Sequence, residues 1–341
     1  EDAVFSLTIP QFTMPADGWP LVLYGHGTNG NYRSFVNDGT AGDLTLVTLD
    51  NGQRVRMAVL SIDAVNHGPR RHEENWEQSW LDLDPHAYDA DVLFFNPINP
   101  TAGRDNVLQG AADYFALIRW VESIDWSAST SVTGEEICFD PDKLYYMGHS
   151  QGSTTGVGFV AHEPAIQAAV FSGAGGVLIE SLLAKKNPFD LPAALMLGLA
   201  DPELMRHHPL LNLAQAYSEI ADPVNHAQYV ARYPQNANIA KHVYHTYGIG
   251  DSYTPDETQY GLVRALRLNQ ITNGHTPLAY VDEVLPPVTN NRYQRTLVTS
   301  LFEGVGSNDA HFVLFDDTLA ERQYSHFLAS AVANGDPTVV E

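Results

Sequence analysis

The sequence predicts an α/β protein in which a mostly parallel sheet is covered by helices on both faces. Three observations lead there: short apolar runs alternate with helical periodicity, 44% of the 341 residues are hydrophobic, and only 17% are charged. The apolar share suits a compact core and excludes disordered and fibrous classes. Parallel strands need crossover connections, which are usually helices, so this alternation favours a sheet between two helix layers. Because no repeat or linker interrupts the pattern, we expect a single domain over residues 1–341.

The individual elements follow from the local pattern in chain order. Buried or edge strands are expected at 3–9, 19–25, 143–148, 168–173, 242–248 and 296–302, and helices at 105–122, 153–160, 256–268 and 318–333. Residues 44–62 allow two interpretations: Asn51-Gly52 indicates a hairpin turn, whereas the second half alone is typical of a central strand. Residues 66–104 and 176–240 break the alternation, and loops of that length are usually functional.

Charge and cysteine content exclude several classes of function. With 41 acidic against 18 basic residues the net charge is −23, which disfavours binding to nucleic acid. The one cysteine, Cys138, excludes an internal disulfide framework and any CxxC site. No stretch reaches the roughly 20 apolar residues of a membrane span, so no stable membrane insertion is expected. The sequence begins with Glu1-Asp2 and shows no secretory leader, as expected of a mature or trimmed protein. This start says little about export. An extracellular or periplasmic location is the expectation.

The strongest chemical signal is the pentapeptide Gly148-His149-Ser150-Gln151-Gly152, which directly follows an apolar strand and precedes a helix. A serine on a tight strand-to-helix turn exposes its Oγ, and the crowded turn admits only glycine on either side. The helix that follows points backbone N–H groups at the site, where they favour negative charge. This context predicts that Ser150 is a nucleophile.

With this motif the chain resembles the α/β-hydrolase family, and within it the bacterial lipase-like serine esterases. The resemblance extends in order over the HG loop at 25–30, the elbow at 148–152, an acid after a late strand and a late histidine, and local stretches at 66–70 (NHGPR) and 96–113 are also similar. It implies an eight-stranded, mostly parallel sheet with a cap insertion, the order Ser…Asp…His, and hydrolysis of carboxylic esters without a cofactor or metal. Ser153 departs from the pattern, since many relatives carry glycine there; an early helical position should tolerate it.

The resemblance also implies an oxyanion hole. One donor would be the backbone N–H of Gln151 and the other that of Thr28, which follows the His26-Gly27 pair. Such prepositioned donors each contribute on the order of 3 kcal/mol to stabilising the tetrahedral oxyanion. His26 is expected to brace the loop rather than to react. A phosphate-binding loop is a poorer interpretation, because no lysine follows the glycines.

Asp251 is the favoured acid of the triad. It follows the strand at 242–248 on a loop loosened by glycine, from which a carboxylate can reach a histidine and fix its tautomer. Asp201 is the rival, because it also follows an apolar run, and Asp256 reads better as the first residue of a helix. Both Asp251 and Asp201 therefore remain candidates at this point.

His311 is the favoured base among fourteen histidines. It lies between the last strand and the last helix, where a loop can bring its Nε2 within reach of Ser150. His275 and His326 are the alternatives: the first precedes a proline-rich loop and the second lies within a predicted helix. Together these choices predict the triad of Ser150, Asp251 and His311.

Two further segments have expected roles. Residues 176–240 should form a cap that roofs the site and shapes an acyl pocket through Leu182, Leu183 and Leu204. An acidic cluster provides oxygen ligands at tight spacing; a solvated loop is the favoured interpretation and a calcium site the alternative. Its members are Asp82, Asp84, His86, Asp89 and Asp91.

The sequence thus predicts a serine hydrolase that cleaves carboxylic esters through an acyl-enzyme. A polyester depolymerase, a peptidase or amidase with the same triad, and an inactive binding protein are the alternatives. The expected partner is a neutral, partly apolar ester, because the charge of −23 should repel anionic substrates and surfaces. Apolar side chains in the nearby loops suit such an ester; they are Trp76, Trp80, Phe94, Phe95, Leu182 and Leu183. The sequence does not fix the oligomeric state.

Overall fold

A computed structural model describes residues 3–71, 90–96, 99–123, 126–235 and 240–341. The strands are β1 (Phe5–Thr8), β2 (Trp19–Gly25), β3 (Val47–Thr48), β4 (Arg54–Val55), β5 (Ala58–Ile62), β6 (Phe139–His149), β7 (Ile166–Ser172), β8 (His242–Ile249), β9 (Asn269–Ile271), β10 (Glu283–Val284) and β11 (Leu297–Glu303). The helices are α1 (Ser34–Asn37), α2 (Thr40–Thr45), α3 (Ala90–Phe95), α4 (Pro100–Ser123), α5 (Gln151–His162), α6 (Leu178–Ala184), α7 (Leu191–Leu199), α8 (Pro209–Ser218), α9 (Pro223–Val230), α10 (Asp256–Leu266), α11 (Val313–Asp316) and α12 (Thr318–Asn334).

The main sheet of the described residues has nine strands in the order β1-β5-β2-β6-β7-β8-β11-β9-β10. Only β1 runs antiparallel, pairing Phe5 with Ile62 of β5, and the other neighbours are parallel. The sheet is therefore mostly parallel, as predicted, with one strand more than the eight that the resemblance implied. The short strands β9 and β10, the last two in this order, have three and two residues, too few to show a periodic pattern.

Residues 44–62 contain both of the structures that the sequence left open. Strands β3 and β4 form a small antiparallel hairpin around Gly52, whose φ of 83° lies in the left-handed region that favours glycine. After the hairpin, β5 enters the main sheet between β1 and β2. The Asn-Gly turn and the central strand are thus successive features of one segment.

Two helix layers bury the two faces of the sheet. Along β2, Leu21 and Leu23 pack with α4, α5, α9 and α10, whereas Val22 and Tyr24 pack with α2 and α12 on the opposite face. Successive side chains of a strand point to opposite faces, so a strand buried on both sides becomes a continuous apolar run. This explains why the buried strands of this chain do not alternate between apolar and polar residues.

The segment expected to form a cap, 176–240, divides into two parts. Helix α9 belongs to the main helix layer, because it packs on α5 and α10 and buries Ala227 and Val230 in the core. Helices α6 to α8 precede it and rest on the loop after β8, where the backbone N–H groups of Lys186 and Asn187 donate to the Ser252 carbonyl at 2.9 and 3.0 Å. We call residues 178–222, which contain α6 to α8, the cap segment.

Several residues singled out in the sequence lie outside the described part of the chain. They are Trp76, Trp80, Asp82, Asp84, His86 and Asp89, together with the side chain of Asp91. Among the residues that the structure does describe, no helix is both long and apolar enough to cross a membrane.

Candidate active site

Ser150 lies on a strained turn between β6 and α5. Its φ of 54° and ψ of −117° are rare for a residue with a side chain, and such strain persists only where the surroundings impose it. The turn is crowded: a Cβ on Gly152 would lie 2.0 Å from the carbonyl oxygen of Gly25. The Ser150 N–H donates to the Ser172 carbonyl at 2.8 Å, which fixes the turn to β7. The side chain of Ser150 is therefore presented at the carboxyl edge of the sheet.

Ser153, the departure from the expected glycine, takes part in holding this turn. It is buried, and its Oγ contacts the carbonyl oxygens of Gly148 at 2.6 Å and of Ser172 at 2.9 Å. Its hydroxyl thereby joins the end of β6 to the end of β7. The substitution supplies hydrogen bonds that a glycine would lack.

His311 and Asp251 form a buried hydrogen-bonded couple. The distance from His311 Nδ1 to Asp251 Oδ2 is 2.8 Å, and the two residues are 2% and 3% exposed. The other carboxylate oxygen accepts the backbone N–H groups of Tyr253 and Thr254 at 2.8 and 2.7 Å. These bonds orient the carboxylate toward Nδ1, so Nε2 is the ring nitrogen of His311 that remains for another partner.

The imidazole of His311 lies beside the serine turn. Its Cε1 would be 2.6 Å from a Cβ on Gly173, which directly follows the strand that binds Ser150, and only glycine leaves this space. The ring of Tyr253 stacks on it at 4.7 Å, and the ring of His149 lies 4.7 Å away. The hydrogen bonds of the described residues include none between Ser150 Oγ and His311 Nε2. Such bonds are often long without substrate and tighten when it binds.

His149 lies in the wall next to this couple. It is buried, and this burial, followed by the neighbouring His311, lowers the pKa of His149 well below its ordinary value. Its Nδ1 lies 3.3 Å from Ser172 Oγ, and its ring contacts Phe315 and Phe312. The wall next to the couple is therefore aromatic and uncharged at neutral pH.

The loop that carries Thr28 passes close to Ser150. A Cβ on Gly27 would be 3.2 Å from the Cβ of Ser150, so the loop approaches the serine at the one residue that permits it. Among the described residues no acceptor engages the backbone N–H of Thr28 or of Gln151. Gln151 is the first residue of α5, where such an N–H lacks an intrahelical partner. Both N–H groups are therefore without an acceptor among the described residues.

Two histidines lock this loop to the one after β5. His26 Nε2 accepts the N–H of Ala64 at 2.9 Å, and His67 Nε2 accepts the N–H of Asn29 at 3.2 Å. His26 donates from Nδ1 to the Gly27 carbonyl, and His67 donates from Nδ1 to the Val65 carbonyl. Burial lowers the pKa of both histidines to about 4, so they stay neutral acceptors at pH 7. His26 thus braces the loop, and His67, which the sequence reasoning did not assign, completes the brace.

Asp309 is a second residue that sequence reasoning missed. Its Oδ1 accepts the N–H of His311 at 2.9 Å and the N–H of Ser252 at 3.2 Å, and its Oδ2 accepts the Ser252 hydroxyl at 2.5 Å. It therefore joins the loop of His311 to the loop of Asp251. The available signal was its place two residues before His311, which is typical of a capping aspartate.

The competing candidates lie elsewhere. Asp201 is in the cap segment, half-exposed and 3.6 Å from His208. His326 lies within α12, and its Nδ1 donates to the Thr338 carbonyl at 3.0 Å. His275 lies on the loop between β9 and β10. Asp256 begins α10, as expected. Within the described ranges, no three His, Cys, Asp or Glu side chains gather as they would around a metal ion.

Comparisons with known proteins bear on the fold. No family model matches the chain, and no curated protein matches it either. Among solved structures, a 2,6-dihydroxy-pseudo-oxynicotine hydrolase is similar over 99% of this chain and 66% of its own, with 13% identity and a TM-score of 0.50. Acetyl xylan esterase 1 from Thermoanaerobacterium sp. JW/SL YS485 is similar over 89% of this chain and 75% of its own, with 15% identity and a TM-score of 0.48. The mostly parallel sheet, its helix layers and the likeness to the 2,6-dihydroxy-pseudo-oxynicotine hydrolase together show that the chain has an α/β-hydrolase fold.

Proposed function

We propose that the protein is a serine hydrolase that cleaves carboxylic esters through an acyl-enzyme intermediate. The observation that carries the proposal is the buried His311–Asp251 couple, which lies next to the strained turn of Ser150. Serine, histidine and aspartate arranged in this way activate a hydroxyl that is otherwise a weak nucleophile. The chemistry needs no cofactor.

The reaction has two halves. In the first, His311 Nε2 takes the proton of Ser150 Oγ while the oxygen attacks the ester carbonyl carbon. The carbonyl oxygen becomes an oxyanion that accepts hydrogen bonds from the backbone N–H groups of Thr28 and Gln151. His311 then protonates the departing alcohol. In the second half, water loses a proton to His311 and attacks the acyl carbon, which releases the acid and returns the proton to Ser150. Asp251 stays ionised and stabilises the imidazolium.

The cap segment is proposed to shape the acyl pocket. It rests on the loop that follows Asp251, where Lys185 Nζ donates to the Tyr253 carbonyl at 2.6 Å. Leu182, Leu183 and Leu204 are half-buried in this segment and are the side chains proposed to contact the substrate. With a chain charge of −23, a neutral ester is the substrate class that this site favours.

Labelling with a fluorophosphonate probe tests the proposal, since the probe reacts with an activated serine. The wild-type protein should be labelled once and lose activity toward a short p-nitrophenyl ester. Ser150→Ala should remove both labelling and activity, whereas Ser123→Ala, which changes an exposed serine at the end of α4, should remove neither. A folded wild-type protein that resists the probe would point to the alternative of an inactive binding protein, and faster cleavage of an amide than of an ester would point to a peptidase or amidase.

A further inference from the structure

A cavity lies at the opposite edge of the sheet from Ser150. It has a volume of about 400 Å³ and is lined by the amino-terminal parts of β6, β7 and β8, the residue Arg295 before β11, and the end of α12. On β6, Tyr145 lines this cavity and precedes Ser150 by five residues, which corresponds to roughly 16 Å along a strand. The cavity is therefore separate from the candidate active site.

Arg295 supplies a positive charge to this cavity. Its Nε donates to the Ala240 carbonyl at 2.8 Å and its Nη1 to the Gln294 carbonyl at 2.7 Å. These two bonds fix the plane of the guanidinium. In the part of the chain that the structure describes, no carboxylate forms an ion pair with it. Among the described residues, Arg295 is thus a fixed guanidinium without a paired carboxylate, and such a group suits a carboxylate or a phosphate.

Two buried side chains add neutral donors. His242 is 6% exposed, and its Nδ1 accepts the N–H of Thr296 at 2.9 Å, so the neutral ring carries its proton on Nε2. Tyr145 is 2% exposed and retains its hydroxyl proton, because burial raises the pKa of the phenol. Neither the Nε2 of His242 nor the hydroxyl of Tyr145 has a hydrogen-bond partner among the described residues. Both donors are therefore available to an acceptor in the cavity that Tyr145 and His242 line.

The acidic residues of the cavity lie at its exposed rim. Asp142 and Asp336 are both exposed, and Asp336 Oδ1 accepts the side-chain amide of Asn290 at 2.7 Å. The other basic residue of the lining, Lys143, pairs with Asp140 at 3.1 Å. The donors without a protein partner are therefore on the buried side chains, whereas the carboxylates lie at the exposed rim. Fixed donors of this kind suit an anion.

We propose that this cavity binds a small molecule through an oxyanion, a phosphate or a carboxylate, held by the guanidinium of Arg295, the Nε2–H of His242 and the hydroxyl of Tyr145. A volume of about 400 Å³ lies within the usual range of ligand pockets and exceeds the need of a lone oxyanion. The ligand therefore has a body beyond its charged group. This site is independent of ester hydrolysis.

Isothermal titration of the full chain with inorganic phosphate and, separately, with succinate tests the proposal. Ser150 is first blocked with a fluorophosphonate or replaced by alanine, so that binding at the candidate active site does not contribute. We expect saturable binding of at least one anion, and the tighter of the two identifies the oxyanion class. Arg295→Gln should weaken that binding about tenfold or more.

Two further variants make the titration decisive. Tyr145→Phe keeps the packed ring and removes only the hydroxyl, so it should weaken binding several-fold even if Arg295→Gln proves unstable. Arg322→Gln removes an exposed arginine that pairs with Asp50, changes the net charge equally, and should leave binding unchanged. The proposal is overturned if neither anion binds saturably, or if Arg295→Gln and Tyr145→Phe bind as tightly as Arg322→Gln does.

Discussion

Replacing Asp309 by alanine should impair turnover although Asp309 is not expected to touch the substrate. Its carboxylate accepts three hydrogen bonds, from the backbone N–H of His311 and from the N–H and hydroxyl of Ser252. The first fixes the turn that carries His311, the proposed base, and the other two fix the loop that carries Asp251, the proposed acid. Without them, the distance of 2.8 Å between His311 Nδ1 and Asp251 Oδ2 is no longer imposed by the two loops.

The size of the effect follows from these contacts. A lost helix cap costs about 1 kcal/mol, so the free energy of unfolding should fall by at least about that amount, and the loss of the two bonds to Ser252 adds to it. A misplacement of about 1 Å in a catalytic group can lower the rate about 100-fold. We therefore expect kcat to fall by about two orders of magnitude with little change in KM.

The assay is steady-state hydrolysis of a p-nitrophenyl ester, together with urea unfolding of each variant. Asp317→Ala is the matched control, because Asp317 caps α12 in the same way, accepting the N–H groups of Leu319 and Ala320. Asp309→Asn keeps one acceptor oxygen and should recover part of kcat. If Asp309→Ala and Asp317→Ala lose equal stability and equal kcat, the positioning role of Asp309 is refuted.

Three other predictions concern the acid, the loop brace and the substrate. Asp251→Asn should lower kcat by roughly 10⁴ through loss of the correct tautomer, while Asp201→Asn should be mild; the opposite ranking in folded variants would move the acid. The folded pKa of His26 and His67 is about 4, below the ordinary 6.5, so the unfolded chain binds more protons between these values and stability should fall as pH drops through that window. Urea midpoints at pH 7 and pH 4.5 measure this, and His67→Gln should reduce the difference. Neutral esters should give higher kcat/KM than an anionic phospholipid or a peptide amide, most clearly at low salt; the reverse order would contradict the substrate class.

The sheet could be predicted because its central strands are buried on both faces. Such strands read as short apolar runs, and the helices between them show their own period, so β2, β6, β7, β8 and β11 were identified from the sequence. The short strands β9 and β10 were missed, because strands of two or three residues are too short to show a periodic pattern. Helix α4 begins at Pro100, five residues before its predicted start, since proline suits the first turn of a helix.

The candidate site was predictable only where a motif carries the chemistry. The glycines around Ser150 reflect local crowding, so the turn can be identified from five consecutive residues. The hydrogen bond between His67 and Asn29 joins residues 38 positions apart in the chain, and the bond between Asp309 and Ser252 joins residues 57 positions apart. No local sequence pattern predicts contacts of this kind. Long-range polar contacts of this kind depend on how the parallel strands bring their carboxyl ends together.

The enclosure of the imidazole has a consequence for which nucleophile completes the proposed reaction. The ring of Tyr253 stacks on His311, that of His149 lies against it, and Gly173 lies beside its Cε1. The edge of the His311 ring that carries Nε2 then takes part in both halves of the proposed reaction. The departing alcohol and the incoming water therefore reach the acyl carbon from the same side. Water enters only after the alcohol has left, and any small alcohol in the medium competes with it for the same place. The protein should accordingly partition its acyl group between water and added methanol, forming methyl esters in proportion to the methanol present.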